Sequence, residues 1–152
     1  MQPQKTIRNV AIIAHVDHGK TTLIEKGFAK ALGRPFATIP LGGVQDGSFL
    51  EGHGYTYEGS RWGQIVNVLM NSKCMNPIIF FDEVDKISRT EHGREIIGIL
   101  RHITDLTQND SFNDKYFAGV DIDLSKALII FSYNDAGLIA VSYTHLTLPT
   151  KA

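Results

Sequence analysis

Cysteine and tryptophan are the scarcest side chains in this 152-residue sequence, with one of each, Cys74 and Trp62. A lone thiol allows no internal disulfide and fits a cytosolic, cytoplasmic setting in which thiols stay reduced. Long hydrophobic runs are missing: none approaches the roughly 20 apolar residues of a membrane-spanning helix, so no membrane partner is expected. An excess of one charge is missing too. Fifteen Lys and Arg stand against 16 Asp and Glu, a formal net charge of −1, which gives no electrostatic reason to expect nucleic acid or an anionic surface as partner. Residues 1–8 are polar with two basic side chains and no small-residue cleavage pattern, unlike a signal peptide. There is no internal repeat and no low-complexity linker. What the chain does have is 43% hydrophobic and 20% charged residues, the composition of a globular domain, and enough length for one ordinary core but not two.

Short apolar runs alternate with helical patterns, the signature of a parallel α/β sheet. Residues 9–14 (NVAIIA) read as a strand covered on both faces. A helix is expected over 20–32, with Leu23, Phe28 and Leu32 near helical spacing and Gly33-Arg34-Pro35 as its stop. Residues 36–39 suggest a second strand. A long glycine-containing loop, 41–59, precedes a helix whose Ile65, Val66, Leu69 and Met70 share a face. Pro77 opens the most apolar strand, 78–81. Ser88 and Glu91 have the spacing of a capping box, and Ile96, Ile97, Leu100 and Ile103 continue that helix, which Gly93 and Gly98 each weaken by about 1 kcal/mol relative to alanine. After a polar stretch, 127–132 (ALIIFS) gives the last core strand.

Between the first strand and first helix, residues 14–21 (AHVDHGKT) fit a P-loop with alanine in the first glycine position. A tight turn feeding a helix N-terminus aims successive backbone N–H groups at phosphate oxygens. Asp17, His18, Gly19, Lys20, Thr21 and Thr22 are the expected nucleotide contacts: Gly19 lets the backbone approach closely, Lys20 adds a charge on the β- and γ-phosphates, and the Thr21 hydroxyl ligates Mg²⁺. The same three letters also occur by chance in ordinary loops; strand, turn and helix in the right order favour the P-loop. The second motif, 78–85 (IIFFDEVD), delivers adjacent carboxylates at the C-terminal end of a strand, where open α/β sheets bind ligands. Asp82 is expected to hold Mg²⁺ through water and Glu83 to polarise the water that attacks the γ-phosphate. Taken alone, such an acidic pair fits a solvated helix cap equally well. Asn134, after the last strand, is either a turn residue or a neutral amide that orients the lytic water.

From Ala29 to Asn134 the chain resembles the AAA+ module of Lon proteases, on AKALGRPF (29–36), LGGVQD (41–46), GHGYTYEG (52–59), NPIIFFDEVDKIS (76–88) and SFNDKYF (111–117). The resemblance implies a P-loop NTPase of AAA+ type with a parallel sheet flanked by helices, and ATP with Mg²⁺ as cofactors. It makes Lys20 and Thr21 the Walker A residues, Asp82 and Glu83 the Walker B pair, and Asn134 sensor 1. It also places Tyr57, Glu58 and Gly59 on a pore loop that grips unfolded polypeptide at the centre of a homo-hexamer. Glu58 departs from the aliphatic residue usual there in Lon, and Tyr57 by itself also reads as a surface aromatic in a glycine-rich loop.

Residues 7–23 (IRNVAIIAHVDHGKTTL) resemble instead the start of a translational GTPase of the TypA/BipA type. Such GTPases need an Asp-x-x-Gly switch and an Asn-Lys-x-Asp guanine-reading motif, and neither occurs here. Residues 141–152 (VSYTHLTLPTKA) resemble the conceptual translation of sequencing-adapter read-through. The expected division is therefore 1–18, a GTPase-like strand and P-loop start that reads as chimeric; 19–137, the Lon-like ATPase core; and 138–152, a non-native or disordered tail, the alternative to a working ATPase core being a chimeric gene model with no intact activity. In the family the arginine finger, the sensor 2 lid and the Ser-Lys protease domain all follow the sensor 1 strand, so a chain cut off there is expected to be inactive by itself. The six histidines show no metal-binding spacing, and His92 and His102 read as surface or packing residues of one helix.

Overall fold

The computed structural model describes residues 10–13, 19, 22, 27–56 and 58–138. Four parallel strands, β1 (Val10–Ile13), β2 (Phe36–Pro40), β3 (Ile78–Asp82) and β4 (Leu128–Ser132), form a sheet in the order β1-β4-β3-β2. Because every strand runs the same way, all four C-terminal ends lie along one edge. The chain leaves β1 at one side and starts β2 at the other, so β3 and β4 take the centre.

Sequence explains that centre. Side chains alternate across a strand, and β3 is apolar at four successive positions, so it buries residues on both faces. Ile79 and Phe81, with Ile129 and Phe131 of β4, join the larger core on one face. Ile78, Phe80 and Ile130 pack with Ala29 on the other. The rings of Phe81 and Phe131 stack at 5.4 Å, and their residues are register partners. Each such side chain contributes about 1.5–3 kcal/mol when fully buried. At the opposite edge the Arg34 guanidinium donates to the carbonyls of Asn76 and Lys126, both at 2.6 Å, which ties together the starts of β2, β3 and β4.

Helices α1 (Lys30–Leu32), α2 (Ser48–Glu51), α3 (Gln64–Ser72) and α4 (Glu91–Thr104) accompany the sheet. Among the described residues none is long and apolar enough to cross a membrane. Helix α1 ends at Gly33 with φ 62°, the left-handed stop that Gly33 predicts. The expected apolar face over 20–32 is corrected: Phe28 and Leu32 are exposed, and Ala29 is the buried contact. Arg34 N–H donates to the Ala29 carbonyl at 3.1 Å across the left-handed Gly33, which closes the helix end, and Leu23 lies outside the described residues. On α3 the buried set is Ile65, Val66, Val68 and Leu69, while Met70 points outward. Helix α2 lies inside what reads as a loop; Asp46 starts it by accepting from the Ser48 N–H at 2.9 Å, and Leu50 anchors it in the core.

The expected capping box of α4 does not form. Thr90 occupies the cap position without a side-chain cap bond, the Ser88 hydroxyl meets the Thr90 hydroxyl at 2.7 Å, and Glu91 pairs with Arg94 at 2.7 Å. Gly93 explains the geometry, since a Cβ there would collide with the Ser88 carbonyl. Its absence of a side chain lets the chain before α4 lie tight against the helix. On the same helix His102 meets the Gln108 carbonyl through Nε2 at 3.0 Å, and His92 is exposed.

Candidate functional site

The C-terminal edge of the sheet gathers the sequence-predicted carboxylates. Phe81 pairs with Phe131, which places Asp82 level with Ser132, and Ser132 is itself the partner of Ile13 on β1. Strands lie about 4.8 Å apart, so the Asp82 backbone stands about 10 Å from the point where β1 hands over to the P-loop segment. The Ser132 hydroxyl donates a short hydrogen bond to Asp82 Oδ1, and the Glu83 N–H donates to the same oxygen at 3.0 Å. Among the described residues both contacts fall on Oδ1, leaving Oδ2 turned to other use. A half-buried carboxylate fixed through one oxygen, with the second uncommitted, suits a metal ion held directly or through water.

Glu83 follows with φ 58°, one of two non-glycine residues with positive φ among those described. Left-handed backbone costs a residue with a Cβ about 1–2 kcal/mol and clusters at functional sites. The turn carries the Glu83 carboxylate over Gly42 in the loop after β2, close enough that a Cβ on Gly42 would collide with Oε2. Glu83 thus leans toward the β2 side of the edge, while Asp82 is tied to Ser132 on the β4 side.

Asp85, in the 3₁₀ turn Val84–Lys86, is buried and accepts the backbone N–H groups of Asn134 and Asp135 through its two oxygens, each at 3.2 Å. It fixes the chain beyond β4 against the chain beyond β3, and so sets where Asn134 stands relative to Asp82 and Glu83. The sequence contained Asp85 within its acidic motif but gave it no role. The signal available was a third carboxylate two residues past an acidic pair, in a position that packs rather than projects.

Gly19 adopts φ 111°, a conformation open to glycine and strained for other residues. Thr22 is helical and exposed. Asp17, His18, Lys20, Thr21 and Tyr57 lie outside the described residues. Glu58 and Gly59 are exposed, and Gly59 has φ 74°. They sit in the loop between α2 and α3, whereas Asp82, Glu83, Asp85 and Asn134 come together where β3 and β4 end.

A cavity of about 370 Å³ opens between the loop after β2 and the 53–64 segment, lined by Gly42, Asp46, His53, Arg61 and Trp62 among others. Ser48 holds the Asp46 carboxyl below the usual aspartate range through a side-chain hydrogen bond. Most of the expected phosphate loop, 14–18, 20 and 21, lies outside the described residues. Among the described residues no group of three or more His, Cys, Asp or Glu gathers as a preformed metal cage.

A parallel sheet in this order with a carboxylate pair at its C-terminal edge is the architecture of a P-loop NTPase. Residues 11–144 match the family described as ATPase family associated with various cellular activities (AAA), and the chain belongs to it. Within that family it is similar to Lon proteases. It is 38% identical over 135 residues to a Lon protease homolog of Acanthamoeba polyphaga mimivirus, covering 88% of this chain and 13% of that protein. It is 42% identical over 121 residues to the Lon protease of Campylobacter concisus, 80% of this chain and 15% of that one. It is 43% identical over 117 residues to the Lon protease of Helicobacter pylori, 77% and 14% respectively. The chain therefore spans about one seventh of the relatives it matches.

Proposed function

We propose that the chain is the nucleotide-binding core of a Lon-type ATP-dependent protease, in which ATP hydrolysis drives polypeptide unfolding within a homo-hexamer. The observation that carries this reading is the Asp82 carboxylate, locked at the C-terminal edge of the sheet by Ser132 of β4, the neighbour of β1. Lys20 and the backbone from Asp17 to Thr22 bind the phosphates, and Thr21 with Asp82 holds Mg²⁺. Held there, Mg²⁺ would neutralise phosphate charge. Glu83 takes the proton of the attacking water, which requires its carboxylate to swing from Gly42 toward Asp82. Asn134, held in place through Asp85, orients that water. The 52–63 loop, through Tyr57, contacts unfolded polypeptide.

Titration of fluorescent ATP and GTP analogues into the wild-type chain and Lys20→Ala tests the nucleotide assignment. The expected outcome is binding that shows no strong GTP preference and is lost in Lys20→Ala, because no guanine-reading motif is present. GTP binding more than tenfold tighter than ATP, about 1.4 kcal/mol, would favour the GTPase-like reading of residues 7–23 instead.

A further inference from the structure

Asp114 is the one fully buried carboxylate among the described residues, and the nucleotide site does not use it. It lies in the 112–122 segment, which folds back on itself through paired Phe112 and Ile122 backbone bonds at 3.1 and 2.8 Å. No cation pairs with Asp114 among the described residues; neighbouring Lys115 reaches Glu51 and Glu95 instead, at 3.4 and 3.5 Å. The Asp114 charge is met by backbone alone. Oδ2 accepts the Gly63 N–H at 2.7 Å and Oδ1 accepts the Tyr116 N–H at 2.9 Å.

Gly63 is the residue before α3, so the carboxylate faces the positive end of that helix, where an anion is favoured. Gly63 is also one end of the 52–63 loop, and the other end closes on the same spot. A Cβ on Gly52 would sit 2.7 Å from the Arg61 carbonyl, 2.8 Å from the Gly63 nitrogen and 2.9 Å from Asp114 Oδ1. His53 N–H donates to the Arg61 carbonyl at 3.0 Å just above this pinch. Two glycines thus let both ends of the loop converge on one buried charge. Trp62, at the stem, lies 5.7 Å from the Tyr116 ring and 6.2 Å from the Phe117 ring, so the residues after Asp114 also seat the aromatic beside it.

We propose that Asp114 is a positioning residue for polypeptide engagement: it clamps the stem of the 52–63 loop and so sets the direction in which the loop presents its aromatic and acidic side chains. The proposal rests on the reading of that loop as the polypeptide contact. A buried unpaired charge is a costly way to fill space, and an amide of the same shape would pack as well. What the carboxylate adds is two acceptors for the loop stem and the segment that seats it, aimed at a helix N-terminus.

The test compares the full 152-residue wild type with Asp114→Asn and Tyr57→Ala. Hydrogen exchange is followed by segment, Trp62 fluorescence reports the stem as the sole tryptophan, and fluorescein-labelled casein serves as the unfolded polypeptide. In Asp114→Asn, amides of 53–62 should exchange about tenfold faster, Trp62 should become more accessible to a soluble quencher, and casein should bind more weakly. Exchange in β3 and β4 and affinity for an ATP analogue should hold. Unchanged exchange in 53–62 would overturn the proposal. Equal loosening of β3 and β4 would also overturn it, since Asp114 would then be a general stability residue. If Tyr57→Ala binds casein as the wild type does, the reading of the loop fails independently of the clamp, which the exchange data still decide.

Discussion

The sheet edge and the 52–63 loop solve the same problem, holding a functional segment in place, by different means. At the edge, strand register does the work. Phe81 faces Phe131, Asp82 therefore meets Ser132, and a carboxylate is fixed by its position in a ladder. The loop has no ladder; its two ends meet on Asp114, which is more than fifty residues away from both. Local pattern thus determines the first site, and a long-range contact determines the second. The first should survive any change that spares the core, whereas the second should fail at single distant residues.

The largest effect expected from breaking this comparison is at the sheet. Phe81→Ala removes a fully buried ring stacked on Phe131 and should cost about 3–5 kcal/mol of stability, measured by urea unfolding, with both the edge and the loop lost together. An intermediate effect is expected for Asp85→Ala, which strands the Asn134 and Asp135 N–H groups. It should cost about 1–3 kcal/mol, and exchange should rise first in 133–138 while 53–62 remains protected. Equal exposure of both regions would mean that they are not held independently.

The smallest effect is one of pH at the loop side. Burial raises the Glu51 carboxyl above the ordinary glutamate range, against the opposing pull of Lys115. A raised folded-state value means that folding favours the protonated form. The Glu51 contribution is therefore fully present below the unfolded-state value and is lost as pH rises through the folded-state value. As pH rises from the ordinary glutamate range, the melting temperature of the wild type should fall relative to that of Glu51→Gln. A constant difference over that rise would show that Lys115 fully offsets the burial.

How far each region was legible in the sequence follows the same division. The sheet, the strand-end carboxylates, Gly33 as a helix stop and the core residues of β3 and β4 were all readable, because period, composition and turn chemistry act over a few residues. Phe28, Leu32 and Met70 were placed on buried faces and stand exposed. In the first helix the short Ala29 makes the buried contact, and on α3 the core takes Val68 where the spacing offered Met70. Gly93 reads in sequence only as a weak helix residue, yet its bare Cα makes room for the Ser88 carbonyl, and that tight approach accompanies a cap without the expected box. Asp85 and Asp114 escaped notice as anchors because their partners are backbone N–H groups, which carry no residue-type signal. The Glu83 turn toward Gly42 was likewise invisible, since it depends on how the loop after β2 lies beside β3.

Paramagnetic mapping tests the central claim, that nucleotide and metal bind at the C-terminal edge of the sheet, most directly. Mn²⁺ with an ATP analogue, added to ¹⁵N-labelled chain, should broaden the amides of 82–83 and 132–134 strongly and those of 53–62 little. Strong broadening around Asp46, His53 and Arg61, in the cavity beside the loop, with the signals of 82–83 and 132–134 left sharp, would contradict it.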